Sequence, residues 1–74
     1  MARNIDIALK NQVAAVLRSR GATQETSDRL ASDHATAART TFDTALMTAG
    51  GGTEAGYEHA FQAVSAWAGD LALS

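Results

Sequence analysis

The two histidines are the residues of this chain best suited to chemistry, and their neighbours decide what that chemistry would be. His34 directly follows Ser32 and Asp33, but adjacent positions of a helix point about 100° apart and cannot form a Ser–Asp–His relay. His59 has no glutamate three residues before it, so the Glu-x-x-His pattern of metal sites in helical bundles is missing. The chain has no cysteine, which excludes thiolate ligands and cysteine nucleophiles. The sequence therefore predicts no enzyme, no metal site and no cofactor.

His34 itself has two interpretations that the sequence leaves open. It lies between Leu30 and Ala38 on the apolar stripe of a predicted helix, where an imidazole must find a hydrogen-bond partner or reach a surface. In the first interpretation it is half-buried and bonds a backbone carbonyl or the hydroxyl of Thr41. In the second it contacts a partner molecule.

The stretch TAGGGTEAGYEHAF, residues 48–61, holds four of the six glycines and resembles a phosphate-binding loop in composition. Such a loop uses backbone N–H groups at a helix N-terminus and a lysine that neutralises the phosphate. No lysine occurs here, and the carboxylate of Glu54 in the first helical turn would repel a phosphate. We therefore predict that Gly50–Gly52 only separate two helices, with a glycine of positive φ ending the first.

The spacing of apolar residues predicts three helices, over residues 4–20, 24–49 and 54–71, and no strand. Asn4, Thr23 and Thr53 are the expected N-cap residues, and Gly21 is the expected residue of positive φ after the first helix. Because both connections are short, neighbouring helices pack antiparallel. The predicted fold is all-α: one domain, residues 1–74, forming a small antiparallel three-helix bundle (up-down-up) with a long middle helix. The residues expected to be buried together are Leu9, Val13, Val16, Phe42, Phe61, Val64 and Leu71.

The predicted middle helix is several residues longer than its neighbours, so it would extend roughly 10 Å beyond them at about 1.5 Å per residue. Its alanine-rich stripe would then be partly uncovered, around Leu30, His34, Ala38 or Leu46. A frayed helix end is one consequence of such an overhang. The other is a partner, either a second copy of the chain or another protein.

The charges argue against nucleic acid as the main partner. The net charge is −2, although all six basic residues fall in the first 39 positions together with only four of the eight acidic ones. Most of these charges are spaced i,i+4 with an opposite charge, as in Asp6–Lys10, Glu25–Arg29 and Arg39–Asp43, which is typical of a solvated helix face. A DNA-binding protein is expected to be basic with an uncompensated stripe. A DNA-binding or antitoxin-like regulator therefore stays an alternative.

The sequence as a whole predicts a small protein that acts by binding another protein or itself, with no membrane segment and no small-molecule substrate. Small inhibitors and adaptors of phages and mobile elements, anti-defence proteins among them, have this profile, and a cytoplasmic location follows by default. A structural subunit of a larger assembly is a further alternative. On a helical wheel Ile7 and Met47 each lie among charged or polar residues, which suits the apolar anchors and polar rim of an interface. The candidate partner-binding residues are Arg3, Ile7, Lys10, Arg18, Arg29, His34, Arg39 and Met47.

Overall fold

The computed structural model describes residues 5–73, which form four α-helices and no strand. The helices are α1 (Ile5–Ser19), α2 (Gln24–Asp33), α3 (Ala35–Thr48) and α4 (Glu54–Gly69). α1, α3 and α4 pack on one another, while α2 packs chiefly on α1 and touches α3. The predicted all-α class is therefore confirmed.

The prediction of a single long middle helix is wrong. Residues 24–48 form two helices that meet at His34, whose φ of −104° and ψ of 16° interrupt the helical path. Because no glycine or proline lies near His34, local helix propensity does not cause the break. The cause is tertiary packing: the break lets α1 and α2 fold back together, so that α1 packs on both α3 and α4.

The break also removes the predicted overhang and its uncovered stripe. Leu30 and Ala38 are buried in the core, and His34 and Leu46 are half-buried. These residues therefore contribute to the interior of the bundle, and the prediction that they lie uncovered is wrong.

Local signals at the helix starts agree with the structure. The Thr23 hydroxyl oxygen accepts a hydrogen bond from the Thr26 N–H at 3.1 Å, and that of Thr53 accepts one from the Gly56 N–H at 3.0 Å. Both threonines are thus N-caps, as predicted. The predicted cap at Asn4 lies outside the described residues.

Glycines end α1 and α3 in the same way. After α1, Gly21 has a φ of 100°, and the N–H of Ala22 bonds back to the Leu17 carbonyl at 3.1 Å. After α3, Gly50 has a φ of 98°, and the N–H of Gly51 bonds back to the Leu46 carbonyl at 2.8 Å. Both ends are Schellman motifs, so the glycine-rich stretch terminates a helix as predicted.

The core collects residues from all four helices. Its buried apolar members are Leu9, Val13, Ala14, Leu17, Leu30, Ala31, Ala38, Phe42, Ala60, Val64 and Ala68. Of the predicted core, Val16, Phe61 and Leu71 are only half-buried and pack against its edge. Alanines occupy inner positions where the larger side chains were expected, because small residues let the helices approach closely.

Polar side chains of α1 and of Arg20, directly after its end, bond to α4. Gln12 Nε2 donates to the Phe61 carbonyl at 2.6 Å and also to the Ser65 hydroxyl. Arg20 Nη1 donates to the Ala68 carbonyl at 2.8 Å, at the C-terminal end of α4, where a cation also interacts favourably with the helix dipole. α1 and α4 therefore run side by side in the same direction.

Ser27 is the one buried polar side chain whose hydroxyl has no hydrogen-bond partner among the described residues. We expect Ser27→Ala to raise the free energy of unfolding by about 1–2 kcal/mol, because it removes an unsatisfied hydroxyl and alanine favours the helix. Urea denaturation measures the change. Ser32→Ala, at an exposed position of the same helix, isolates the helix-propensity part. A Ser27→Ala protein less stable than wild type would contradict the prediction.

Candidate partner-binding surface

The predicted partner-binding residues are distributed over three helices and the α2–α3 junction. Arg3 lies outside the described residues. The others are Ile7, Lys10 and Arg18 on α1, Arg29 on α2, His34 at the junction, and Arg39 and Met47 on α3. Ile7 and Met47 are the exposed large apolar side chains among residues 5–73, with 56% and 81% of their surfaces accessible.

His34 is half-buried and packs against an aromatic ring. Its imidazole meets the indole of Trp67 edge-on, with ring centroids 6.2 Å apart and planes at 74°. The predicted bond between His34 and Thr41 is not formed, and the Thr41 hydroxyl instead donates to the Ala37 carbonyl at 2.9 Å. The contact with Trp67 places His34 at the junction as a packing residue between α4 and the α2–α3 pair.

Arg39 joins α3 to α1. Its guanidinium donates to Asp6 on α1 at 3.0 Å and to Asp43 on α3 at 3.1 Å. The hydrogen bond to Asp6 and then that to Asp43 raise the pKa of Arg39 above its already high usual value, so it stays charged. Asp6 therefore pairs with Arg39, in place of the Asp6–Lys10 pair expected from the spacing.

Lys10 and Arg18 remain as exposed cations on α1. No acidic side chain within residues 5–73 lies at ion-pair distance from either. Arg29 reaches the carboxylate of Asp33 only at 4.0 Å, with both side chains largely exposed, a geometry that contributes little to stability.

Five side chains spaced along the solvent side of α3 form a surface that we call the α3 outer face. All are exposed, and they lie in two adjacent rows with four-residue spacing, Thr36–Thr40–Thr44 and Asp43–Met47. Asp43 is its only charge, and that charge is bonded to Arg39. Met47 is among the candidate residues predicted from the sequence, whereas none of the threonines is, although Thr36 and Thr40 lie beside Met47 on the helical wheel. Their four-residue spacing was the signal that could have revealed them.

Two open grooves border the bundle. One, of about 350 Å³, runs between α1 and α3 and is lined by Asp6, Ala35, Thr36, Arg39 and Thr40. It continues the α3 outer face towards the beginning of α1. The other, of about 580 Å³, is lined by Ile5, Gly52, Glu54 and Tyr57, and it adjoins the first described residue.

Within 5–73, no three His, Asp or Glu side chains are placed so that they could hold a metal ion. In the same part of the chain, no helix has both the length and the apolar character needed to cross a bilayer. Comparison of the chain with protein-family models, curated proteins and solved structures finds no match. Fold and surface together define a small all-α protein whose most distinctive exposed feature is the α3 outer face.

Proposed function

We propose that the chain is a non-catalytic protein-binding protein, an inhibitor or adaptor that acts by occupying a partner's surface with its α3 outer face. The observation that carries the proposal is Met47, whose side chain is 81% exposed in that face. Complete burial of a methionine side chain contributes about 1.5–3 kcal/mol. A partner that covers Met47 gains this free energy, which the isolated chain does not.

The side chains around Met47 suit the centre of an interface, because the cores of interfaces are depleted of charge. Thr36, Thr40 and Thr44 are short and uncharged, so little side-chain entropy is lost when a partner orders them. Asp43 is the exception, and its carboxylate already accepts hydrogen bonds from Arg39. This ion pair belongs at the rim, where charges chiefly tune the rate of association.

One helix face is too small to be the whole interface. α3 has 14 residues and is therefore about 21 Å long, whereas a standard interface buries about 800 Å² on each partner. The interface that we propose extends from α3 across the 350 Å³ groove to α1, where Ile7 provides a second apolar anchor and Lys10 a rim charge.

We expect Met47→Glu to weaken binding to the partner at least about tenfold, because a buried carboxylate would replace an apolar anchor. The partner is first captured from the source cell with the wild-type protein, and its affinity for both proteins is then measured by calorimetry. Circular dichroism should show unchanged helicity, since Met47 makes no contribution to the core.

The matched control is Gln62→Glu, which adds the same charge on the exposed side of α4 and should leave the affinity within about twofold of wild type. Equal weakening by the two variants would mean that charge alone is responsible, which would contradict the proposal. If the wild type captures no protein but binds random duplex DNA with strong salt dependence, the regulator alternative replaces the proposed function.

A further inference from the structure

The α2–α3 junction differs from the other two helix connections. Those contain glycines of positive φ, Gly21 between α1 and α2 and both Gly50 and Gly51 between α3 and α4. The junction consists of His34 alone, and residues 31–37 contain neither glycine nor proline. A helix is thus interrupted where every residue is able to continue it.

The junction is also poorly capped. Thr23 and Thr53 cap α2 and α4 with side-chain hydrogen bonds, whereas His34, the N-cap of α3, makes none. Helical bonding nevertheless continues on both sides, from the His34 N–H to the Leu30 carbonyl and from the Ala38 N–H to the His34 carbonyl. A change in the backbone of His34 is therefore enough to make residues 24–48 one helix, which would give the first N–H groups of α3 the partners that a helix start lacks.

That straight helix does not fit within the present fold of one chain. Residues 24–48 would span about 37 Å at 1.5 Å per residue, more than the 35 Å longest dimension of the folded chain. Straightening would also separate α2 from α3, and it would carry α1 away from α3 and α4 together with α2. Phe42 and Val64, which are fully buried, would then be exposed.

We propose that a second copy of the chain restores this core, so that the protein forms a domain-swapped dimer in which residues 24–48 are one continuous helix. Residues 5–33 of each copy would pack against α3 and α4 of the other. The contacts of Gln12 with Phe61, of Arg20 with Ala68 and of Asp6 with Arg39 then form between copies. The occupant is a second copy because it alone offers the same contacts that the first loses.

The dimer is independent of the proposed function, since its contacts are those of the core and not those of the α3 outer face. Met47→Glu should therefore leave dimerisation unchanged. The experiments can therefore refute one of the two proposals and leave the other unaffected.

The test is to change the preference of residue 34 for a continuous or an interrupted helix. His34→Ala favours continuation, and His34→Asn supplies the cap that the break lacks. Each dimer has two junctions, so the effect of the substitution counts twice. We expect the association constant of the dimer, measured by sedimentation equilibrium, to rise about tenfold for His34→Ala and to fall about tenfold for His34→Asn. Thr44→Ala, the matched control well inside α3, should leave the constant unchanged.

A distance measurement distinguishes the swapped dimer from a dimer of unchanged chains. The chain has no cysteine, so spin labels on Asp28→Cys and Thr44→Cys report on one pair of sites, both exposed. A continuous helix places their Cα atoms about 24 Å apart, and the bent chain places them closer. Labelled chains diluted with unlabelled ones should show the longer distance in the dimer fraction only. A dimer with the monomer's distance, or no dimer of His34→Ala at millimolar concentration, would overturn the proposal.

Discussion

Phe42→Ala should lower the free energy of unfolding by about 3–5 kcal/mol, which is the range for removal of a fully buried phenylalanine. Phe42 is 0% exposed and is the largest fully buried side chain. Its ring meets that of Phe61 edge-on at 5.0 Å and lies 6.0 Å from that of Tyr57, so the substitution also removes two aromatic contacts. Phe42 lies where α3 packs against α4, so the cavity would form between these two helices.

The expected loss is a large part of the total. A domain of this length has a free energy of unfolding of about 4–11 kcal/mol, so Phe42→Ala should remove between about a quarter and all of it. Chemical denaturation followed by circular dichroism measures the loss. Phe61→Ala is the comparison: the same atoms are removed from a half-buried ring, so its cost should be clearly smaller. If Phe61→Ala costs as much as Phe42→Ala, the burial of the two rings has been assigned wrongly.

The second large effect is expected from Gly56→Ala, which should lower the free energy of unfolding by about 2–3 kcal/mol. A Cβ atom on Gly56 would lie 2.3 Å from the backbone oxygen of Gly51 and 3.1 Å from the Thr53 hydroxyl. The Gly51 carbonyl accepts the Thr53 N–H at 2.8 Å, and the Thr53 hydroxyl caps α4. To relieve the clash, the connection must therefore move away from the start of α4 and lose this cap.

Gly69→Ala is the matched control in the same helix, because nothing lies within 4 Å of the added Cβ and the backbone is not left-handed. We expect Gly69→Ala to raise the free energy of unfolding by up to about 1 kcal/mol, because alanine has a higher helix propensity than glycine. Thermal denaturation of both proteins checks the pair. A Gly56→Ala protein as stable as Gly69→Ala would show that Gly51 does not lie against α4 in solution.

The sequence alone was sufficient for the features that depend on a few adjacent residues. Thr23 and Thr53 cap helices because a side-chain oxygen reaches an N–H three residues later, and both bonds are present. Gly21 and Gly50 end helices because glycine adopts a positive φ without strain, and both do so. The all-α class follows from the same local periodicity.

The core could be predicted in outline but not residue by residue. The helical spacing correctly selected the buried faces of α1 and α4. It nevertheless predicted the same burial for Phe61 as for Phe42, whereas Phe61 is only half-buried. How deeply a side chain is buried depends on the distance and angle between helices. Those are determined by small residues such as Ala60 and Ala68 across the contact.

The candidate binding surface was predicted only in part. Met47 could be identified because its neighbours on the helical wheel are polar or charged. That pattern does not depend on the angles between helices. Arg39 was assigned to a solvated face with Asp43, but it also bonds Asp6, 33 residues earlier. No pattern within one helix contains that pairing.

Only the tertiary structure decided where the middle segment breaks. Propensity and spacing favour one helix through His34, because each residue there prefers its local helical hydrogen bonds. The interruption sacrifices some of those bonds, and in return α1 packs on α3 and α4 while His34 packs on Trp67. These contacts join residues that are distant in the chain, so their free energy exists only once all four helices are assembled.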